Sequence, residues 1–281
     1  MKRIASIQDI SCVGKCSLTV ALPIISALGV ECGIIPTAVL SVHTAFKSFT
    51  FDDLTDQIEP ISKSWKENEL DFDALYTGYL GSFEQLELVS SFFDEHKAED
   101  TLVFVDPAMA DNGKLYKGFT PEFARAMGSI VCSKADVIDP NITEAAFMLD
   151  VDYKEPGNYN EAYVKDILQR LVALGAKKAV LTGVSLNPNE CGVYGLDGVT
   201  GQYFNYFNEL LDTNFHGTGD IFSSCAVGAL MRDKSLEDSL AIAADYTVAC
   251  IKETVAHEKH NWYGVNFETK IPYLLQRAGL L

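Results

Sequence analysis

The 281-residue sequence contains no apolar run of transmembrane length, no internal repeat and no low-complexity linker. It is also poor in positive charge, because 22 Lys and Arg residues stand against 39 Asp and Glu residues and leave a formal charge of −17. This excess of negative charge disfavours nucleic acid or an anionic membrane as a partner. A phosphate site in this chain must therefore depend on helix ends, a few lysines or a metal ion.

Cysteine pairs with the spacing of a redox or zinc motif are missing as well. The seven cysteines are scattered, mostly in apolar segments, and no Cys-x-x-Cys pair occurs. An odd number of unpaired cysteines predicts reduced thiols in the cytosol and not a disulfide framework. Residues 3–7 already have the pattern of a strand, so we expect no secretory leader and a cytoplasmic protein.

Short apolar segments alternate with amphipathic ones along most of the chain, which is typical of a mainly parallel sheet covered by helices. Strands are predicted at residues 3–8, 33–39, 74–77, 102–105, 137–138 and 178–182, with a hairpin formed by 192–196 and 201–206. Helices are predicted at residues 17–28, 52–68, 83–95, 121–133, 143–149, 161–174, 218–231 and 236–253. The alternation resumes after the loop-like residues 154–160, so we predict one α/β domain that spans residues 1–281.

The segment Gly217-Thr218-Gly219-Asp220 opens onto a run of small apolar residues that is long enough for a buried helix. The first N–H groups of a helix have no partner within it, and its dipole makes that end positive. These amides can therefore hold a phosphate or an oxyanion. Asp220 would repel that anion unless it takes a proton from an attacking hydroxyl. Alone, the tetrapeptide is better explained as an ordinary helix start with an acidic first turn.

Polar residues follow most of the predicted strands, where open parallel sheets bind their ligands. They are Asp9, His43, Thr44, Gly78, Tyr79, Asp106, Asp139, Asn141, Thr182 and Gly183. Carboxylates and hydroxyls suit a small polar substrate with Mg²⁺-bound phosphates. A lone histidine such as His43 is more often a packing residue than a catalyst. Tyr79 either stacks on a flat ring or packs at the edge of the core.

Two of these strand ends allow both a structural and a functional interpretation. Asp106 and Asp111 lie in one loop that either orients magnesium or is a solvated turn, and Lys114 is a candidate phosphate contact there. Asn141 and Glu144 have the spacing of a capping box. The same Glu144 carboxylate is a candidate for a metal-bound phosphate, and the two roles are compatible.

Taken in order, these segments resemble the pyridoxal (vitamin B6) kinases of the ribokinase-like superfamily. The matching segments are residues 6–8, 41–44, 77–82, 106–109, 139–144 and 217–220, and the resemblance covers essentially the whole chain. It implies a three-layer ribokinase-like fold, with a mainly parallel central sheet and helices on both faces. It also implies ATP and Mg²⁺ as cofactors, a homodimer and no Walker A loop, and it leaves dependence on a monovalent cation open.

The resemblance also implies roles for individual residues. Asp220 would be the general base for the substrate hydroxymethyl group, and the amides of Gly217, Thr218, Gly219 and Asp220 would form the anion hole. The residues implied to contact the phosphoryl acceptor, the substrate with the hydroxymethyl group, are Asp9, His43, Thr44, Tyr79 and Asp220. The implied ATP contacts are Asp106, Asn141, Glu144, Thr182, Lys114 and Tyr116; the implied Mg²⁺ contacts are Asp106, Asp111 and Glu144. Residues 111–116 would form a flap over the phosphates.

Three aspartates, Asp9, Asp139 and Asp220, bear on the specificity and chemistry of the predicted site. Asp9 stands where many pyridoxal kinases have a serine that contacts the pyridine, and a carboxylate there can pair with a protonated ring or amine. We hypothesise that Asp9 favours pyridoxamine or pyridoxine over pyridoxal. Asp139 stands where related kinases often have a neutral residue. Asp220 is expected to have an ordinary pKa near ~4 and to be ionised at neutral pH.

Two other functions stay open. A hydroxymethylpyrimidine kinase of the same superfamily also acts on a flat heteroaromatic ring with a hydroxymethyl arm. The His43-Thr44 and Gly78-Tyr79-Leu80-Gly81 segments favour B6 vitamers over that acceptor. A ligand-sensing protein that kept the fold and lost turnover is the third reading, and the intact residues 217–220 argue against it.

Overall fold

The computed structural model describes residues 1–213 and 215–281. The strands are β1 Arg3–Ser11, β2 Glu31–Leu40, β3 Phe51–Asp53, β4 Ala74–Thr77, β5 Leu102–Val105, β6 Ala110–Asp111, β7 Lys114–Leu115, β8 Val137–Ile138, β9 Lys178–Val184, β10 Glu190–Asp197 and β11 Tyr203–Glu209. The helices are α1 Leu18–Ala27, α2 Thr55–Glu67, α3 Phe83–His96, α4 Pro121–Ala126, α5 Ile142–Leu149, α6 Glu161–Ala173, α7 Thr218–Leu230, α8 Leu236–Ala256 and α9 Ile271–Arg277. The described chain divides into two compact units.

The first unit consists of Met1–Ala74 and Leu211–Leu281. Strand β1 is almost entirely buried and pairs in parallel with β2, while β3 pairs antiparallel with β2. Helix α7 is buried around most of its circumference because its residues are small. A Cβ atom built on Gly228 would lie 2.6 Å from the Leu28 side chain, so this glycine allows α7 to pack closely on the end of α1.

The second unit consists of Leu75–Leu210. Its strands follow the order β11-β10-β9-β8-β5-β4, in which β5, β8 and β9 run parallel and β10 is antiparallel to both of its neighbours. A separate two-stranded hairpin, β6–β7, follows β5. Helix α4 continues through a π-helical turn at Met127–Val131 and a 3-10 turn at Cys132–Lys134.

The predicted α/β fold, a mostly parallel sheet with helices on both faces, is confirmed. Strands β4, β5 and β8 have the predicted bounds. The helix predicted to begin at residue 52 begins instead at Thr55, because Phe51–Asp53 pair with β2 and Asp53 accepts the Thr55 N–H at 2.8 Å. Helix α9 was not predicted. Among the described residues, no helix has both the length and the apolar character needed to cross a membrane.

Candidate active site

Strand β1 extends to Ser11, beyond the predicted end at residue 8, so the buried carboxylate of Asp9 lies within the strand and does not follow it. The pairing of β1 with β2 is irregular between Gln8 and Ile10, on either side of this residue. Asp9 Oδ1 accepts a hydrogen bond from the Ser17 hydroxyl at 2.5 Å, and Oδ2 accepts one from the Ser11 hydroxyl at 3.0 Å. Burial raises the pKa of Asp9, and the two serine hydroxyls oppose this rise. Asp9 was predicted to contact the substrate that receives the phosphoryl group, but both of its carboxylate oxygens already have protein partners.

Helix α7 presents Asp220 in its first turn. Burial, followed by the negative charge of Asp9, raises the pKa of Asp220 to about 7, although the residue keeps some exposed surface. Our expectation of an ordinary pKa was wrong, since the sequence shows neither the desolvation nor the neighbouring carboxylate.

The two glycines at the start of α7 have different surroundings. Gly217 has a φ of 80° and precedes the helix, and a Cβ atom built there would overlap the carbonyl oxygen of Lys15. A Cβ atom on Gly219 would meet nothing within 4 Å. The turn is thus packed against residues 14–17 on one side, and the Gly219 side faces open space. The first-turn amides of Thr218 and Gly219 have no acceptor within the helix. Asn214 lies outside the described residues.

His43 is a packing residue in this structure. Its Nδ1 atom accepts the Ala45 N–H at 3.2 Å, and its Nε2 atom lies 3.1 Å from the Tyr263 carbonyl oxygen, to which it donates. Burial lowers the pKa of His43, which favours the neutral ring. Its ring centroid lies 5.0 Å from that of His216, next to Gly217. Thr44, the other predicted acceptor contact in this loop, is exposed.

In the second unit, the predicted capping box at the start of α5 is confirmed. The Asn141 side chain accepts the Glu144 N–H at 2.9 Å, and the Glu144 side chain accepts the Asn141 N–H at 2.8 Å. The same two side chains also hold the segment after β5. Glu144 Oε1 accepts the Met109 N–H at 3.1 Å, and Asn141 Nδ2 donates to the Ala110 carbonyl at 2.8 Å.

The 110–115 hairpin, formed by β6 and β7, corresponds to the predicted flap. Its two turn residues, Asn112 and Gly113, have φ angles of 50° and 75°, as a tight hairpin requires. The Gly113 N–H donates to the Thr143 hydroxyl at 3.1 Å, and a Cβ atom on Gly113 would lie 2.9 Å from the Tyr153 ring. The tip of the hairpin is therefore fastened to the first turn of α5 and rests on Tyr153.

The three predicted magnesium ligands have different environments. Asp106 and Glu144 are buried, and burial together with the charge of Asp106 raises the pKa of Glu144 well above its usual range. Asp111 is exposed, and its two oxygens accept the Asn112 N–H and Nδ2 at 2.8 and 2.9 Å. Across the described part of the chain, no three His, Cys, Asp or Glu residues form a metal-binding group. This donor set fits an ion that arrives with nucleotide phosphates and uses one or two carboxylates.

The other predicted nucleotide contacts are Thr182, Lys114 and Tyr116. Thr182 forms a parallel bridge with Asn141, and its N–H donates to the Pro140 carbonyl at 3.0 Å. Lys114 and Tyr116, in and just after β7, are exposed. Tyr79, half-buried after β4, has its ring centroid 5.4 Å from that of Phe119.

Sequence reasoning missed Ser11 and Ser17, which bind Asp9, and Thr143, which binds the hairpin. Ser17 is the first residue of the helix predicted at residues 17–28, but the observed helix α1 begins at Leu18, which gives Ser17 the usual position of a cap. Its side chain makes no capping bond, however, because the hydroxyl is directed to Asp9. No sequence pattern marks the positive φ of 52° that aims it there.

Comparison with known proteins identifies the family of this chain. The family model described as phosphomethylpyrimidine kinase matches residues 24–264. A Bacteroides thetaiotaomicron protein, provisionally assigned as a phosphomethylpyrimidine kinase and crystallised with pyridoxal, is 37% identical with a TM-score of 0.91, over 97% of this chain and 95% of that one.

Two pyridoxal kinases are also similar. The crystal structure of the Lactobacillus plantarum enzyme is 29% identical, with a TM-score of 0.89 over 98% of this chain and 97% of that one. The Dictyostelium discoideum enzyme is 27% identical over 274 residues, which cover 92% of this chain and 87% of that one. The chain therefore belongs to the phosphomethylpyrimidine kinase family and has the ribokinase-like fold of the pyridoxal kinases that it resembles.

Proposed function

We propose that this protein is an ATP-dependent kinase that phosphorylates the 5′-hydroxymethyl group of the B6 vitamers pyridoxal, pyridoxamine and pyridoxine. The observation that carries the proposal is the presence of a partly buried carboxylate, Asp220, in the first turn of α7, beside the first amides of that helix. The similar pyridoxal kinases and the pyridoxal in the Bacteroides crystals support this choice of acceptor.

Asp220 is the proposed general base. In-line phosphoryl transfer needs positioning, charge neutralisation and removal of the acceptor proton. A carboxylate with a pKa of about 7 is a stronger base than an ordinary one and is still largely ionised at slightly alkaline pH. The amides of Gly217, Thr218 and Gly219 are the proposed donors to the migrating phosphoryl group. The Asp220 N–H, which we also predicted for the anion hole, is the fourth proposed donor.

On the nucleotide side, the proposed contacts are Asp106, Asn141, Glu144, Thr182, Lys114 and Tyr116. Asn141 and Glu144 act mainly by holding the backbone of the segment after β5, because Asn141 binds the Ala110 carbonyl and Glu144 binds the Met109 N–H. Mg²⁺, which neutralises phosphate charge when it is bound, would be held by Asp106 with Glu144 close by. A contribution from Asp111 would require it to exchange its bonds with Asn112.

The residues proposed to contact the vitamer differ in whether their polar atoms are free to bind it. Thr44 is exposed and keeps its predicted role, whereas both nitrogens of His43 already bind the protein. The predicted ring contact of Tyr79 stays a prediction. The predicted vitamer preference from Asp9 is tested by comparing the three vitamers in the wild type and in Asp9→Ser. The same ranking in both proteins would remove Asp9 from vitamer selection.

We expect kcat/KM to fall as the pH decreases through about 7, because the protonated Asp220 carboxyl cannot accept the hydroxyl proton. Below this midpoint, kcat/KM should fall by nearly tenfold for each pH unit, and above it kcat/KM should become constant. The control is to measure this pH dependence with vitamers that ionise at different pH values. If the ionising group belongs to the enzyme, the midpoint is the same with each vitamer. A profile that stays flat down to pH 5 would contradict the assignment.

Replacing Thr143 tests the role of the 110–115 hairpin. Thr143→Val keeps the shape but leaves the Gly113 N–H without its acceptor, which costs about 1–3 kcal/mol if the group stays buried. We expect faster hydrogen exchange in residues 110–115 and an apparent KM for ATP that rises several-fold. Thr143→Ser restores the acceptor and should restore both values. Unchanged exchange in Thr143→Val would show that this bond does not hold the hairpin.

The proposed function is tested by incubating the protein with ATP, Mg²⁺ and each of the three vitamers, with hydroxymethylpyrimidine in parallel. Mass spectrometry of the phosphorylated product and measurement of ADP should agree in stoichiometry for at least one vitamer. Turnover of hydroxymethylpyrimidine alone would favour the second candidate, which the description of the family model supports. Binding of pyridoxal without ADP formation would indicate a ligand sensor. Homodimerisation and a cytoplasmic location remain predictions.

A further inference from the structure

The chain after α8 contains a largely buried segment, residues 263–268, which we call the C-terminal strap. The strap is bound to α8 by two hydrogen bonds. The Asn266 N–H donates to the Thr254 hydroxyl at 2.7 Å, and the Tyr246 hydroxyl donates to the Phe267 carbonyl at 2.9 Å. Phe267 itself is buried. The strap therefore has a fixed place in the first unit.

The strap binds the side chain of Lys15, in the 14–17 loop. The Lys15 ammonium donates to both carboxylate oxygens of Glu268, at 2.9 and 2.7 Å, and to the Asn266 side chain at 3.4 Å. It also lies 5.5 Å from the centroid of the Phe267 ring, within range of a cation–π contact. The Lys15 side chain is only 16% exposed, so solvent screens these contacts less than those of a surface lysine.

Close packing adds to these charged contacts. A Cβ atom built on Gly264 would lie 2.6 Å from the Lys15 side chain and 3.3 Å from the Gly14 carbonyl oxygen, so a glycine is needed for the strap to approach the loop this closely. The Tyr263 carbonyl oxygen lies 3.1 Å from His43 Nε2, and a Cβ atom on Gly14 would lie 3.0 Å from the same histidine ring. The strap thus packs on the 14–17 loop and on His43 together.

The main chain of Lys15 contacts the start of α7. Lys15 has a φ of 52°, in the left-handed region that residues other than glycine rarely adopt. Its carbonyl oxygen is the atom that a Cβ atom on Gly217 would overlap. The Gly217 carbonyl in turn accepts a helical hydrogen bond from the Ile221 N–H at 3.0 Å. Lys15 therefore connects the strap, which binds its side chain, to the first turn of α7, which packs on its carbonyl.

We propose that Lys15 and Glu268 are positioning residues for the anion hole. Glu268 holds the Lys15 ammonium and so fixes the 14–17 loop, and the Lys15 carbonyl fixes Gly217 and the amides that follow it. Because Glu268 neutralises the ammonium, Lys15 acts through its position and not as a phosphate contact. Phosphoryl transfer is sensitive to such placement, since a displacement of about 1 Å can cost ~100-fold in rate. The inference rests on the proposed function of the α7 amides.

Two single variants and their combination test the positioning. Lys15→Met keeps the apolar length of the side chain and removes its charge, and Glu268→Gln removes the opposite charge. We expect each to lower kcat about 5- to 20-fold and to leave the KM for the vitamer within about twofold of the wild-type value. The double variant should lose no more than the worse single variant, because both residues act through one ion pair. Losses that multiply in the double variant would overturn the proposal.

Lys15→Arg and Lys2→Met are the matched controls. Arginine keeps a cation for Glu268, so kcat should stay within about threefold of the wild type. Lys2 forms an exposed ion pair with Asp233 at 2.9 Å, beyond the other end of α7, and its replacement should leave kcat unchanged. If Lys15 bound phosphate instead, Lys15→Met would raise the KM for ATP while Glu268→Gln kept the wild-type kcat. That result would also overturn the proposal.

Hydrogen exchange provides a test that does not depend on turnover. The Ile221 amide, which binds the Gly217 carbonyl, should exchange at least about fivefold faster in Lys15→Met and in Glu268→Gln than in the wild type. The Met231 amide, which donates to the Val227 carbonyl at 3.1 Å at the other end of α7, should keep its wild-type rate.

An unchanged rate at Ile221, or an equal increase at Ile221 and Met231, would refute the positioning even if no vitamer is phosphorylated. The second of these results is what a merely structural ion pair would give, because it would act on the stability of the whole fold. Faster exchange at Ile221 alone, in a protein without turnover, would support the connection through Lys15 and count against the proposed function only.

Discussion

Asp220→Asn is expected to lower kcat by roughly two to four orders of magnitude while the protein stays folded. The amide has nearly the shape of the carboxylate but cannot accept the hydroxyl proton at neutral pH. Substrate binding should change much less than kcat, because the proposed proton transfer belongs to the transition state. Steady-state kinetics with a saturating vitamer and ATP provide the measurement.

The same variant should be more stable than the wild type at pH 8. The pKa of Asp220 is about 7 in the folded chain and roughly 4, the ordinary aspartate value, in the unfolded chain, so the folded state binds the proton more tightly than the unfolded state does. Its ionisation therefore destabilises the fold as the pH rises from about 4 to 7. Removing the charge should add on the order of 2 kcal/mol at pH 8, a gain that disappears near pH 4.

Asp212→Asn is the control for both measurements. Asp212 is an exposed residue in the segment before α7, so its replacement removes the same charge outside the site. We expect its kcat and its unfolding free energy to match those of the wild type. An Asp220→Asn protein with nearly unchanged kcat would remove Asp220 from the role of base. Unchanged stability at pH 8 would show that its carboxyl is not desolvated.

Gly217→Ala is expected to have the second largest effect. The new methyl group would overlap the carbonyl oxygen of Lys15, and alanine is strained at a φ of 80°. The obstacle is a backbone atom, so no side-chain rotation relieves it. We expect a loss of about 2–4 kcal/mol in unfolding free energy. We also expect kcat to fall at least tenfold, because the 14–17 loop and the start of α7 must move apart.

Gly219→Ala separates stability from catalysis at the same helix start. Its methyl group would meet no protein atom within 4 Å, so urea unfolding should give a midpoint close to that of the wild type. If the space beside Gly219 receives the phosphoryl group, kcat/KM should nevertheless fall. A fully active Gly219→Ala would contradict the proposed anion hole. A Gly217→Ala protein with wild-type stability would contradict the close contact with Lys15.

The fold was predictable because its strands are short, apolar and regularly spaced. Strands β4, β5 and β8 were predicted with their observed bounds, since each is an apolar run bounded by polar residues. Strand β3 was missed because Phe51–Asp53 are exposed and too few to show any periodicity. The 110–115 hairpin has the expected turn residues. Its strands were not predicted, because each is only two residues long.

Position along the chain indicated where the site residues would lie, but not what each contacts. Asp106 and Asn141 do follow the ends of β5 and β8, as a parallel sheet requires, whereas Asp9 lies within β1, which extends to Ser11. The bonds that occupy them come from residues with no local signal, such as Ser17 and Thr143. The raised pKa of Asp220 depends on burial and on a carboxylate 211 positions earlier in the chain, which no local pattern encodes.

The account depends most on where the Asp220 carboxylate points when both substrates are bound. A crystal structure with pyridoxine and a non-hydrolysable ATP analogue tests this directly. We predict one Asp220 oxygen within about 2.6–3.2 Å of the 5′-hydroxymethyl oxygen, with the Thr218 and Gly219 amides directed at the terminal phosphate. A carboxylate turned away from the hydroxyl, with those amides bonded to protein atoms, would contradict the account.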